Sequence, residues 1–428
     1  MTRAIRWAGA LVALILIVVA GSCDKVWGIS SRTLDPNLVC DESGCQCTSG
    51  FADCDGDQSN GCEANLQKAA ETCGTCGTRC DNGNCNVGLC ECKDGFADCD
   101  GDLGNGCEAS IGDDPASCGA CGHACPDSTC DDGRCAATVL AQITSIQSLA
   151  LGGGYLYVSS CGTPSIQRIP VDGGASEPVF SGTGCVEALA LDQGILYFTN
   201  NDQILALKLD ATSAPKLITS TVKFFDALGV GGGYIYWNES GDPVQADLQR
   251  FSLDKGMTED LLDDGFSFHA LSVTPEGVYW AGVESVEYLP NDAIGPIAIA
   301  PVTADILNKT GIPSFTIDAH HAYWAEPVNG VIKTVPLGGG PESVLTNAGR
   351  PTSLLVDATS LYWTDFASGD VRMIALGAPN GKVQKLAVNQ NIVSSSRMVG
   401  DKNSVYWFTG STLSVNGVVD GRVWRATK

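Results

Sequence analysis

Beyond residue 136, apolar and polar residues alternate in short runs that end at glycine, asparagine or aspartate. One kind of run is an apolar-tyrosine-aromatic triplet: Leu196-Tyr197-Phe198, Ile235-Tyr236-Trp237, Val278-Tyr279-Trp280, Ala322-Tyr323-Trp324, Leu361-Tyr362-Trp363 and Val405-Tyr406-Trp407, preceded by a weaker copy, Leu156-Tyr157-Val158. The seven tyrosines lie 40, 39, 43, 44, 39 and 44 residues apart. Before each triplet stands an inner run such as Ala188-Leu189-Ala190-Leu191. After it comes a third run such as Ile166-Gln167-Arg168-Ile169-Pro170, then a short outer one such as Glu177-Pro178-Val179-Phe180. Period-two alternation over four to six residues predicts half-buried strands, and four of them in about 40–45 residues is the signature of a propeller blade.

The ends of this region predict closure. The last unit stops after its third strand, Gly421-Arg422-Val423-Trp424-Arg425, whereas Thr138-Val139-Leu140-Ala141 reads as an outer strand placed before the first full unit. An N-terminal strand completing the last blade gives an all-β, seven-bladed β-propeller over residues 137–428. Six blades with an irregular cap is the alternative, because the first anchor lacks a tryptophan. Tyr197, Trp237, Trp280, Trp324, Trp363 and Trp407 are expected to pack between blades.

Residues 38–136 follow another rule. Phe51-Ala52-Asp53-Cys54-Asp55-Gly56-Asp57 returns 45 positions later as Phe96-Ala97-Asp98-Cys99-Asp100-Gly101-Asp102, and Cys40 and Cys45 map onto Cys85 and Cys90, then onto Cys130 and Cys135. Large apolar residues are scarce, so disulfides rather than a hydrophobic core are expected to hold the segment. Structural zinc and redox dithiols are the alternatives for its Cys-x-x-Cys pairs. The pairing is left open. Asp53, Asp55, Asp57 and Asp98, Asp100, Asp102 put three carboxylates on a tight turn in each copy: solvated turns, or calcium loops, since calcium takes six to eight oxygens.

At the start, Arg3 and Arg6 precede the apolar run Trp7–Ala20 and the small residues Gly21 and Ser22. Residues 1–22 read as an export signal. Ala20-Gly21-Ser22-Cys23 resembles the lipobox of bacterial lipoproteins, which implies a lipid on Cys23, a tether over residues 23–37 and a membrane anchor at the bacterial envelope or surface; ordinary cleavage is the alternative. Removing Cys23 from 21 cysteines leaves an even number.

Two further resemblances extend this reading. The cysteine spacing is similar to Cys-rich, EGF-like repeats of bacterial surface lipoproteins, which implies a stalk or adhesive spacer. Leu361-Tyr362-Trp363-Thr364-Asp365 resembles the YWTD propeller units of low-density-lipoprotein-receptor relatives. The full string occurs once; Asn238, Ala281, Ala325 and Phe408 follow the other tryptophans. The resemblance therefore does not carry that family's acid-centred hydrogen-bond network around the ring.

Net charge is −24, with 6 basic and 21 acidic residues in 24–136 against 17 and 28 in 137–428. Nucleic acid, which needs a basic footprint, is excluded as a partner. No Gly-x-Ser-x-Gly elbow, His-Glu-x-x-His helix or phosphate loop occurs. Loops two-to-three and blade-to-blade share one face, so Cys161 and Cys185 are expected to pair there. On that face Glu187, Asp226 and His269, from consecutive blades, form a candidate channel-mouth set for a divalent metal or acid–base work. The function expected first is a surface binding or adhesion platform for an extracellular protein or glycan. A metal-assisted hydrolase, lactonase or lyase and a structural envelope component are the alternatives.

Overall fold

The computed structural model describes residues 35–41, 44–57, 59–102, 104–125, 128–210, 214–220, 224–242, 245–262, 270–281, 285–293, 295–301, 314–377, 381–388, 390, 392, 397–410 and 420–428. The chain forms two compact units, Met1–Cys135 and Ala136–Lys428. Among the described residues no helix is long and apolar enough to cross a membrane.

The first unit is built of two-stranded hairpins, and its buried centre is cystine sulfur rather than hydrocarbon: Cys62, Cys107 and Cys118 are fully buried. The pairing repeats with the sequence. Cys47–Cys62, Cys54–Cys76, Cys73–Cys85 and Cys80–Cys90 in one copy become Cys92–Cys107, Cys99–Cys121, Cys118–Cys130 and Cys125–Cys135 in the next. Cys40 and Cys45 occupy the positions of Cys85 and Cys90, but positions 28 and 35 hold Gly28 and Asp35 where Cys73 and Cys80 would stand. They therefore pair with each other, directly opposite across the strands Leu38–Asp41 and Gly44–Cys47. Each bridge closing a loop of about fifteen residues stabilises by roughly 3 kcal/mol.

The second unit is a ring of seven four-stranded antiparallel sheets. In blade 1 the strands are Ile146–Gly152, Tyr155–Ser160, Ile166–Pro170 and Glu177–Phe180. In blade 7 three strands, Met398–Gly400, Ser404–Thr409 and Asp420–Thr427, are joined on the outside by Thr138–Thr144 from the other end of the chain. The innermost strands of neighbouring blades touch all the way round, blade 7 against blade 1 included, so the ring is closed. Seven blades form although the first lacks a tryptophan.

The Tyr-Trp dipeptide follows from strand geometry. Successive side chains point to opposite faces of a sheet, so tyrosine meets the following blade and tryptophan the preceding one. Tyr197 packs with Trp237, Tyr236 with Trp280, Tyr323 with Trp363 and Tyr362 with Trp407. Trp324 lies in the cluster between blades 4 and 5. Between blades 7 and 1 the smaller Val158 takes the tryptophan position and packs with Tyr406 and Phe408. All six anchors named from the sequence are buried.

Candidate functional site

The ring has two faces. One carries the two-to-three loops and the blade-to-blade connections, and there Cys161 and Cys185 are joined. The Thr199 hydroxyl accepts the N–H groups of Glu187 and Ala188, which fixes the entry of the innermost strand of blade 2. Glu187 is half-buried at that entry. Asp226 falls in the innermost strand of blade 3, Phe224–Gly231, where only its backbone is described, and His269 lies outside the described residues. Below the mouth, innermost strands of blades 1 to 4 line a cavity of about 280 Å3 with apolar residues, among them Leu149, Leu191, Leu228 and Val273.

The opposite face carries the one-to-two and three-to-four turns, and here the gaps between blades open. Between blades 1 and 2 a cleft of about 550 Å3 is lined by Tyr155, Tyr157, Arg168, Asp192, Gln193 and Asp210 over Leu151, Leu191 and Leu209. A second, of about 520 Å3, lies between blades 3 and 4 and includes Tyr234, Arg250, Glu259, Asn291 and Asp292. The two are built alike. Arg168 stands opposite Tyr157 and Glu177 in the strand register, as Arg250 stands opposite Tyr236 and Glu259. Each guanidinium lies over the first tyrosine of its blade, at 4.6 Å from the Tyr155 ring centroid and 4.7 Å from that of Tyr234. Each is paired to its glutamate, at 2.6 and 2.7 Å. The bond to Glu177 raises the Arg168 pKa; for Arg250 burial, the largest influence, lowers it, and the Glu259 and Tyr236 interactions together outweigh burial. Burial raises the hydroxyl pKa of Tyr157 and Tyr236, with the neighbouring arginine pulling back. This Tyr-x-Tyr, Arg, Glu constellation was written in the sequence, in two non-adjacent blades, but aligning on the Tyr-aromatic triplet alone passes over it.

A second device also escapes that alignment. Asp318, Asp357 and Asp401 stand five residues before Tyr323, Tyr362 and Tyr406. One carboxylate oxygen accepts two N–H groups of the one-to-two turn and the other accepts the tyrosine hydroxyl, at 2.7, 3.1 and 2.8 Å. Blades 1 and 3 instead turn on Gly153-Gly154 and Gly232-Gly233, with positive φ at both residues, the geometry of a two-residue hairpin. Tyr236 finds Asn291 of the next blade.

The acid-centred network that the sequence argument does not carry round the ring is present in blade 6. Asp365, 1 % exposed, accepts the N–H of Arg350 at 2.8 Å, the N–H of Ala367 at 3.0 Å and the Ser368 hydroxyl at 2.8 Å, and pairs with Arg372 at 2.8 Å. Gly349 makes room: a Cβ there would lie 2.3 Å from Asp365 Oδ2. Glu326 takes the corresponding place in blade 5, bonding Trp324 Nε1, Asn329 and Lys333.

In the first unit, Asp53 and Asp55 gather with Glu63, and Asp98 and Asp100 with Glu108, one oxygen of each lying within 4.8 Å of the others. Asp57 and Asp102 are instead occupied by the N–H groups of Ser59 and Gly104. Each loop closes on its own hydrogen bonds, for example Gly56 N–H to Asp53, Asn60 to Asp55 and Cys54 N–H to Glu63. Backbone N–H donation lowers the pKa of the exposed Asp55 and Asp100 carboxyls.

No protein-family model matches the chain, and no curated protein matches it in sequence. Among solved structures, U3-55K aligns with a TM-score of 0.52 at 14 % identity over 68 % of this chain and 98 % of that one. The WD40 propeller domain of Doa1 aligns with a TM-score of 0.48 at 14 % identity, over 68 % and 96 %. A chain of a nidogen/laminin complex aligns with a TM-score of 0.41 at 14 % identity, over 58 % and 94 %. At such identities the likeness is one of fold.

Proposed function

We propose that this chain is an exported binding protein whose propeller is the interaction platform and whose disulfide-stapled repeats serve as a stalk. The observation that carries this reading is the pair of like-built inter-blade clefts on one face of the ring, each combining tyrosine, an arginine and carboxylates, the first over a floor of leucines. Binding sites favour such concave apolar surfaces with a few placed polar groups. An extracellular protein or glycan is the class of ligand that suits an acidic chain rich in disulfides. Lipid anchoring at the bacterial envelope belongs to the same reading. Its support is Ala20-Gly21-Ser22-Cys23 and the fact that ten disulfides account for every cysteine except Cys23, which lies outside the described residues. The EGF-like and YWTD-like resemblances add a stalk and a ligand-binding propeller as analogies. Calcium on the acidic loops is an expectation from residue type, and equilibrium dialysis of the parent against Asp55→Asn and Asp100→Asn tests it.

The test of the main reading is a peptide and glycan array probed with the oxidised full chain. Hits lost in Arg168→Ala or Arg250→Ala and kept in Glu187→Ala support it. Hits that need a divalent metal and Glu187, followed by turnover, would replace it with the metal-assisted hydrolase or lyase.

A further inference from the structure

The residue that follows the third strand is held identically in successive blades: its N–H donates to the one-to-two turn of its own blade, as for Val171, Leu209, Asn291 and Lys428. This register position borders the tyrosine of the preceding blade, and what it carries decides whether the donors in the gap are taken from within. In the gap between blades 3 and 4, Asn291 takes them, while the rest of that cleft stays open. Tyr236 donates its hydroxyl proton to the Asn291 carboxamide oxygen, and Arg250 Nη1 donates to the Asn291 main-chain carbonyl at 2.9 Å. Between blades 6 and 7, Lys428 Nζ donates to Asp357 and stands 4.9 Å from the Tyr362 ring centroid. Between blades 7 and 1, Arg425 Nη1 donates to the Val171 carbonyl at 2.9 Å, and Tyr406 is held by Asp401.

Between blades 1 and 2 the position carries Leu209, which has no side-chain acceptor. Tyr157 and Arg168 occupy the places that Tyr236 and Arg250 occupy two blades on. Glu177 holds the Nε and Nη2 edge of Arg168. The Tyr157 oxygen faces the Arg168 guanidinium, no acceptor for the Tyr157 hydroxyl proton is found among the described residues, and both side chains line the open cleft. Two donors, fixed in the spacing that an asparagine satisfies in the sister cleft, are left for a ligand.

We propose that the cleft between blades 1 and 2 binds an asparagine-containing peptide segment, with the side-chain carbonyl on the Tyr157 hydroxyl and the main-chain carbonyl on Arg168 Nη1. This rests on the binding reading above and narrows it. An N-acetylated sugar offers one amide carbonyl and would satisfy one of the two donors; the asparagine residue offers both from one rigid unit. Asp192 and Asp210 at the rim favour a lysine or arginine beside it and disfavour aspartate in its place. Leu151, Leu191 and Leu209 supply the apolar floor for the flanking backbone and side-chain stems.

The test uses the oxidised full chain with 15N-labelled arginine, titrated with acetyl-Lys-Asn-Gly-Lys-amide. A saturable shift of the Arg168 Nε–H resonance is expected, with that of Arg250 unmoved by this peptide because Asn291 already takes the Tyr236 and Arg250 donors. The peptide with alanine for asparagine is expected to bind at least tenfold more weakly, since it strands a buried donor. Tyr157→Phe should weaken the parent peptide by a similar factor. Leu209→Asn should take the two donors as Asn291 takes those of its own cleft, abolishing the shift while the Arg250 resonance reports an intact ring. Equal binding of both peptides, or binding undiminished by Leu209→Asn, overturns the proposal. If N-acetylglucosamine moves the Arg168 resonance and the peptide does not, the peptide assignment falls while the binding platform stands. If neither probe moves it and array hits ignore Arg168 and Arg250, both fall.

Discussion

Asp365 is where the buried network of blade 6 can be measured. Replacing it with alanine removes a carboxylate that is 1 % exposed and accepts two backbone N–H groups, a serine hydroxyl and an arginine. Breaking a buried pair from one side costs about 3–5 kcal/mol, because the remaining charge is stranded. Arg372 keeps Asp370 at 3.2 Å and is 19 % exposed, so the lower end, about 3 kcal/mol, is the working figure. At roughly 2 °C per kcal/mol, the small end of the range for domains of this size, the melting temperature should fall by about 6 °C. Asp365→Asn keeps an oxygen for the backbone N–H groups and loses the charge-assisted bond. Its expected cost is about 1–2 kcal/mol, hence about 2–4 °C. The assay is thermal melting followed by near-ultraviolet circular dichroism, which reports the buried tryptophans, with disulfides intact. A melting temperature for Asp365→Ala within about 1 °C of the parent would refute the claim that this acid ties the blade together. So would an asparagine variant as damaged as the alanine one.

Other consequences concern pH and cross-links. Burial first, then the Asp357 and Asp401 carboxylates, pushes Tyr362 and Tyr406 up to about 12. A raised folded-state pKa means a contribution fully present below about pH 10 and lost as pH rises toward 12. Ultraviolet titration should find these phenols silent until near unfolding, and ionisation of all ten tyrosines near pH 10 in the folded state would contradict it. For Asp357 burial is outweighed by the Lys428 and Thr359 bonds, and its pKa is lowered. Its contribution is present above about pH 4 and lost as pH falls below that, so Asp357→Asn should flatten the acid limb of the stability curve. Lys428→Ala should cost about 1 kcal/mol through lost pairing and ring contact, read as a drop of about 2 °C at pH 7. The Cys161→Ser/Cys185→Ser double variant opens a link of sequence separation 24 and should lose about 3 kcal/mol. An unchanged melting temperature there would show the bridge to be dispensable.

The ring was legible because one physical requirement repeats. Every blade must bury both faces of its second strand, so an aromatic or apolar pair recurs at each period, and even Val158 could be placed by spacing. Closure by Thr138–Thr144 was legible from a strand missing at one end and spare at the other. The cystine pairing was not, because eight cysteines per unit allow many pairings, and only the fold sets Cys73 opposite Cys85. The clefts were missed for a different reason. Tyr157, Arg168 and Glu177 are ordinary strand residues in sequence, and they become a site only when register places arginine between tyrosine and glutamate at the edge of a blade. Chemistry was expected instead at Glu187, Asp226 and His269, of which Glu187 lies on the face opposite the clefts.

That division of the ring has a structural cause. Blades 5, 6 and 7 begin their second strand after an aspartate turn, and the same aspartate ties down the blade's tyrosine hydroxyl at the edge of the inter-blade gap. Blades 1 and 3 use glycine turns, which close the hairpin without any side chain, so their tyrosine hydroxyls must find partners across the gap. Blade 2 sits between the two schemes: Asp192 stands five residues before Tyr197, yet it precedes the Gln193-Gly194 turn and lines the cleft instead. The arginines of blades 1 and 3 lie in this half and leave it room to bind, whereas the latched half spends its polar groups on itself. A glycine turn therefore does two jobs in these blades: it satisfies the hairpin geometry, and it withholds the carboxylate that would otherwise occupy the tyrosine.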